Sequence, residues 1–185
     1  MNKIGLILAG SGGQGVILAS VILAEAALEA GYYVAQSQSY GPEARGGACR
    51  GEVLISNQEI DYTKVQTPTC VLVLTQKAYN EYCRDLPEEC FILVDKSIRV
   101  IKPGNRNHTL CLPILESAKE VLIKPQTANM IAVGCINELL NISNRSQMKR
   151  AVMKHTPTGS VEMNLKALNY GGELIRNLFL NRDVS

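Results

Sequence analysis

Ile4-Gly-Leu-Ile-Leu-Ala-Gly-Ser-Gly-Gly-Gln-Gly15 runs from apolar residues into glycines. Ile4–Ala9 reads as a buried strand, and Gly10–Gly15 breaks it. Val16–Ala30, rich in Ala, Leu and Ile, reads as a helix whose first half is apolar on nearly every side and so belongs inside the protein. Gly31 stands where a helix end needs positive φ, and Tyr32–Gln38 reads as a second strand. Strand, glycine loop, helix and strand in this order make a βαβ unit with a Rossmann-like start.

Onward from there, Ser39–Gly51 lacks a period and carries Gly41, Pro42, Gly46 and Gly47, so a loop is predicted. Glu52–Ser56 and Glu59–Tyr62 are predicted to pair as an antiparallel hairpin. Cys70–Leu74 reads as a strand and Gln76–Arg84 as a helix capped by Thr75; Phe91–Asp95 is another strand. Ser97–Leu112 is irregular, with Thr109–Leu112 extended at its end. Helices are predicted near Leu115–Val121, Thr127–Leu140, Ser146–Lys154 and Glu162–Leu180. The expectation is a single domain over residues 1–185: a three-layer α/β/α fold with a mostly parallel mixed sheet and a helical last third.

Gly10, Gly12 and Gly15 satisfy G-x-G-x-x-G, with Gly13 in addition. Such glycines permit a tight turn and close approach to the backbone, and the helix start behind them favours an anion. Two readings stand level: an anion site, or glycines that only let helix and sheet pack closely. NAD falls behind both, because the second strand ends Gln36-Ser-Gln-Ser39 without the acid that holds a ribose; Glu43 lies beyond a Pro. The absence of Gly-Lys-Ser/Thr excludes a P-loop NTPase.

Gln36-Ser-Gln-Ser-Tyr-Gly-Pro-Glu-Ala-Arg-Gly-Gly-Ala48 is the most unusual stretch. Ser37, Ser39 and Tyr40 can donate hydrogen bonds, and Arg45 offers a fork for phosphate or carboxylate. In a parallel sheet this loop and the glycine loop share the carboxyl edge where α/β ligands bind. The alternative, which composition favours slightly, is a turn packed on a partner protein. Ser11 is read first as a helix cap, Asp95 as a turn cap, His108 and His155 as surface residues, and Tyr32, Tyr33 and Tyr40 as core or interface. No acid–base or nucleophile–base set can be assembled.

Composition narrows the classes. The 185 residues carry 46% hydrophobic and 19% charged residues, the reverse of a disordered chain. A net charge of +2 gives no nucleic-acid footprint, and Arg145, Lys149, Arg150 and Lys154 read as a solvated helix face. The six cysteines show no two-residue spacing, so neither a zinc ribbon nor an iron–sulfur loop is written here. They read as reduced, mostly core thiols of a cytoplasmic protein. Met1–Ala9 has too short an apolar run for a signal peptide, and no stretch approaches the ~20 residues that span a bilayer.

Together the motifs resemble the gamma subunit of the 2-oxoacid:ferredoxin oxidoreductases. The resemblance rests on Gly10–Val16, Gln36–Gly47, Glu52-Val-Leu-Ile-Ser56, Glu59-Ile-Asp-Tyr62, Asn129-Met130 and Asn164-Leu-Lys-Ala167, in order along nearly the whole chain. The Gln-Ser-Gln-Ser form is most similar to the 2-oxoglutarate branch, with the pyruvate, branched-chain 2-oxoacid and indolepyruvate enzymes carrying related subunits as the alternatives. The resemblance implies a complex in which thiamine diphosphate decarboxylates the 2-oxoacid, iron–sulfur clusters pass electrons to ferredoxin or flavodoxin, and coenzyme A takes the acyl group. It places thiamine and clusters in alpha, beta and ferredoxin-like subunits. It leaves this chain without catalytic residues or metal and associates the gamma part with covering coenzyme A; on the two-loop reading, Gly10, Ser11, Gly12, Gly13, Gln14, Gly15, Ser39, Tyr40 and Arg45 are then expected on the coenzyme A side or a subunit interface.

Overall fold

The computed structural model describes residues 3–41, 48–100 and 108–182. The chain runs β1 (Ile4–Ser11), α1 (Val16–Glu29), β2 (Tyr33–Tyr40), β3 (Ala48–Ser56), β4 (Cys70–Val73), α2 (Gln76–Tyr82), β5 (Phe91–Asp95) and β6 (Thr109–Leu112). Helices α3 (Ile114–Glu120), α4 (Ala128–Leu140), α5 (Arg145–His155) and α6 (Val161–Arg182) follow. Gly31 ends α1 at φ 89°, and Thr75 Oγ1 caps α2 by accepting from the Ala78 amide at 3.2 Å, both as the sequence predicts.

The strands form one sheet in the order β2-β3-β1-β4-β5-β6. β1, β4, β5 and β6 are parallel neighbours, while β3 runs antiparallel to both β1 and β2. β2 therefore points the same way as β1 without touching it, and the βαβ crossover through α1 straddles β3.

That placement corrects two expectations. Ser39–Gly51 is not all loop: Ser39 and Tyr40 close β2, and 48–51 open β3. The hairpin partner of β3 is β2, and Glu59–Tyr62 forms no strand. The reason is topological, since β1 and β2 fill both edges of β3 and leave no ladder for a third strand. Ile60 instead packs on the core, and Tyr62 Oη accepts from Lys3 Nζ at 3.0 Å.

Alternation along each strand sends side chains to two cores. Leu6, Leu8, Val53, Ile55, Leu72 and Leu93 meet α1, α4 and α6 on one face; Ile7, Ala9, Leu54, Val71 and Val73 meet α2 on the other. α4 and α6 cross at glycines: a methyl at Gly134 would run into Leu168 O, and one at Gly171 into Ile131 O.

The basic cluster on α5 is exposed at all four residues, and two of them also bridge to α1. Arg150 pairs with Glu29 of α1 at 2.8 Å and Lys154 with Glu25 at 2.7 Å. His155 joins the same carboxylate at 3.1 Å, so it is a half-buried member of a helix–helix seam and not a free surface histidine. His108, partly exposed, lies 3.9 Å from Glu89 and edge-on to Phe91. No helix among the described residues is long and apolar enough to cross a membrane.

Candidate functional site

The register places the predicted residues along one end of the sheet. Tyr40 of β2 lies opposite Cys49 of β3, and Cys49 lies opposite Gly10 of β1; Ala48 sits opposite Ser11 one step further. Two strand spacings of about 4.8 Å put Tyr40 and Gly10 within about 10 Å. The Gly41 amide closes the strand ends on Ala48 O at 2.6 Å. The glycine loop and the end of β2 thus share the carboxyl edge. Arg45, with Glu43, Gly46 and Gly47, lies outside the described residues.

Each loop residue has a distinct use. Gln14 folds inward: its Oε1 accepts from the Ser11 amide at 2.8 Å, and its Nε2 donates to Leu74 O at 3.3 Å. A methyl at Gly10 would stand 2.5 Å from that Oε1, so this glycine makes room for the lock. Gly12 and Gly13 stay exposed, and Gly13 has φ 93°. Ser11 is not the cap predicted from sequence, because β1 extends through it and Gly15 is the N-cap residue of α1. Gly15, at φ 71°, has no side chain to offer the first amides of α1; the first helical bond is Ala19 N–H to Gly15 O at 3.0 Å. Such a turn keeps its donors and its positive end for an outside acceptor.

Asn129 supports the loop from behind. It is 5% exposed, and its Nδ2 donates to Gly15 O at 3.4 Å. A methyl at Gly15 would fall 2.5 Å from that nitrogen and 3.2 Å from Asn129 Cβ. The first turn of α4 thereby fixes the start of α1.

The polar run of β2 divides in two. Gln36 Nε2 donates to Ser20 Oγ at 3.1 Å, and Ser20 Oγ donates to Ile17 O at 2.7 Å, so Gln36 ties β2 to α1. A methyl at Gly51 would collide with that Ser20 hydroxyl, which explains a glycine inside β3. Ser37 Oγ donates to Thr63 O at 3.1 Å. Gln38, Ser39 and Tyr40 remain exposed, Tyr40 at 64%. Alternation turns Tyr40 to the α1 face and Ser39 to the α2 face. Asp95 is buried and accepts from the Ser97 amide at 2.9 Å and the Leu115 amide at 2.8 Å, a cap as predicted.

Sequence reading missed a charged cluster on the α2 face. Glu52, 2% exposed, accepts from the Val65 amide at 2.7 Å and meets Arg50 at 3.1 Å and Lys64 at 3.6 Å. The Arg50 guanidinium lies 5.0 Å from the centre of the Tyr82 ring. Burial, and then Glu81, push the Tyr82 phenol up to about 12. The alternation Arg50-Gly-Glu-Val-Leu54 carried the signal, hidden by Gly46 and Gly47 before it and Gly51 within it.

An α/β sheet with its exposed loops gathered at one carboxyl edge defines a binding or docking fold, and the sequence fixes which kind. Residues 5–174 match the family described as pyruvate ferredoxin/flavodoxin oxidoreductase, and the chain belongs to that family as a gamma-type subunit. It is 40% identical over 174 residues to the 2-oxoglutarate synthase subunit KorC of Methanocaldococcus jannaschii, covering 92% of this chain and 93% of that one. It is similar to the solved gamma subunit of a keto/oxoacid ferredoxin oxidoreductase from Geobacter sulfurreducens, with TM-score 0.82, 38% identity, and 94% and 99% of the two chains covered. The fold also recurs in a 2-oxoglutarate:ferredoxin oxidoreductase from Magnetococcus marinus solved with 2-oxoglutarate, coenzyme A and succinyl-CoA bound. There the TM-score is 0.84 at 22% identity, over 96% of this chain and 32% of that one.

The family's iron–sulfur clusters do not fit the cysteines of this chain. Cys70 of β4 and Cys135 of α4 are buried, as are Cys83 just after α2 and Cys90 just before β5; Cys49 is partly exposed and Cys111 is exposed. Among the described residues no three His, Cys, Asp or Glu side chains gather as a metal-ligand set.

Proposed function

We propose that this chain completes the coenzyme A side of a complex that oxidises 2-oxoglutarate. The overall reaction takes 2-oxoglutarate, coenzyme A and two oxidised one-electron acceptors to succinyl-CoA, carbon dioxide, two reduced acceptors and the proton released from the coenzyme A thiol. Thiamine diphosphate and the clusters belong to alpha, beta and ferredoxin-like companions, ferredoxin or flavodoxin is the acceptor, and this chain alone has no turnover. The 2-oxoglutarate branch is supported by the likeness to the Methanocaldococcus subunit. The coenzyme A role is supported by the ligands of the Magnetococcus enzyme.

The observation that carries the reading is the start of α1, which has no side-chain cap at Gly15 and stands beside exposed Gly12, Gly13 and Tyr40. Coenzyme A brings phosphates, and a helix start with free amides suits a phosphate. Tyr40 adds a phenolic donor, and Arg45, three residues before Ala48 of β3, adds a guanidinium fork.

A charge-assisted hydrogen bond contributes about 1.5–3 kcal/mol. Arg45→Ala in the reconstituted complex is therefore expected to weaken coenzyme A use by roughly ten- to a hundred-fold. Normal assembly with unchanged coenzyme A dependence would overturn the proposal. A second reading, a purely interacting subunit, is favoured by exposed Tyr33 and Tyr40 on the edge strand. It requires the variant to lose assembly while the assembled fraction keeps its coenzyme A KM. Comparing turnover on 2-oxoglutarate and pyruvate tests the substrate branch.

A further inference from the structure

The glycine loop carries one side chain that turns away from the edge it stands on. Gln14 follows exposed Gly12 and Gly13 and is itself half-buried. Its own amide donates to Ser11 O at 3.1 Å, and the Ser11 amide donates back to Gln14 Oε1 at 2.8 Å. Residues 11 and 14 are therefore latched twice, once through the main chain and once through the side chain. Gln14 Nε2 donates to Leu74 O at 3.3 Å, and Leu74 N–H in turn bonds Ala9 O at 3.0 Å. Leu74 is buried and follows β4, so the latch ends on rigid backbone at the carboxyl end of the sheet.

The outer side of the turn is the opposite. A methyl at Gly13 would meet nothing within 4 Å, so this glycine answers to its φ of 93° and not to a neighbour. Among the described residues no acceptor is hydrogen-bonded to the amides of Gly12 or Gly13. Consecutive glycines lose more conformational freedom on ordering than other residues do. Backbone donors on such a turn favour a ligand only if something holds them in place beforehand. Gln14 is the side chain of this loop that ties it to the sheet.

We infer that Gln14 is a positioning residue for coenzyme A. It touches no ligand atom and holds the Gly12–Gly13 backbone in the conformation that receives the ligand. The inference rests on the reading that this edge meets coenzyme A, and it separates Gln14 from the loop residues expected to make the contact.

The test is coenzyme A kinetics of the reconstituted complex carrying Gln14→Met or Gln14→Glu. Met keeps the length and loses both bonds; Glu keeps the acceptor for the Ser11 amide and loses the donor to Leu74 O. With two hydrogen bonds of ordinary strength removed, coenzyme A KM should rise about five- to a hundred-fold in Gln14→Met. The kcat at saturating coenzyme A should stay within about twofold of wild type. Gln14→Glu should fall between the two. In the free full-length chain, hydrogen exchange of the Ser11 amide should quicken in Gln14→Met and less in Gln14→Glu. A Gln14 that only stabilised the fold would lower Tm and leave KM of the assembled enzyme unchanged, and that result would overturn the inference. So would a larger rise in KM for Gln14→Glu than for Gln14→Met, the order expected if the side chain touched a phosphate. Gln14→Glu serves if Gln14→Met misfolds, a wild-type KM there refuting the role. Omitting the whole chain separates this role from the one it rests on. If omission leaves coenzyme A use unchanged, the proposed role of the edge falls and this one with it; if omission matters and Gln14→Met does not, only the positioning role falls.

Discussion

Substituting Gly15 by Ala should show how the start of α1 is held. Two costs are readable. Ala must adopt φ 71°, at about 1–2 kcal/mol. Its methyl would stand 2.5 Å from Asn129 Nδ2 and 3.0 Å from Asn129 Cγ. Asn129 is 5% exposed and begins α4, so its amide has little room to swing away; displacing it removes the bond to Gly15 O and leaves buried polar atoms unpaired. That penalty is about 1–3 kcal/mol. The sum, about 2–5 kcal/mol, corresponds to a Tm lower by about 4–20 °C at roughly 2–4 °C per kcal/mol for a chain of this size. A double-mutant cycle separates the two parts. In an Asn129→Ala background the amide is gone, and Gly15→Ala should cost the backbone share, about 1–2 kcal/mol, plus what remains of the 3.2 Å contact with the residue-129 Cβ. Thermal and urea unfolding of the four chains gives the coupling. Equal costs in both backgrounds would refute the role assigned to Asn129.

Three further outcomes are expected. Glu25 is held below its usual carboxylate range by its hydrogen bond to Lys154 first and His155 second. A lowered folded value means that its stabilisation is complete above the unfolded value and fades as pH falls through the folded one. The stability gap between wild type and Glu25→Gln should therefore be widest near neutrality and shrink in acid, and a gap independent of pH would contradict the seam. Burial pushes the Cys70 thiol well up and the Cys135 thiol to about 12, so neither should react with a thiol reagent in the folded chain; exposed Cys111 should react first and Cys49 next. Gly171→Ala would set a methyl against Ile131 O and force α6 from α4, lowering stability by about 1–3 kcal/mol or more in urea unfolding.

Much of the fold is legible because its signals are local. The apolar run Ile4–Ala9 ending in glycines gives β1 and the start of α1, Gly31 gives the helix end, and Thr75 gives the cap of α2. What sequence reading misses is set by partners far along the chain. Nothing near residue 48 announces that β3 inserts between β1 and β2, and Gly51 looks like a loop residue until Ser20 is placed against it. Glu59–Tyr62 has strand-like residues, yet it finds no free edge. The site divides in the same way. The two loops are recognisable by composition, and their meeting at Tyr40, Cys49 and Gly10 follows from register alone. The support from Asn129 joins residues 114 apart, and the Glu25–Lys154 pair joins residues 129 apart. No spacing rule reaches that far.

The most direct test of the proposed role is calorimetric titration of coenzyme A into the companion subunits with and without this chain. If the edge built by Gly10–Gly15 and Tyr40 covers the ligand, affinity should be about ten- to a hundred-fold tighter when the chain is present. Equal affinity in the two titrations would contradict it.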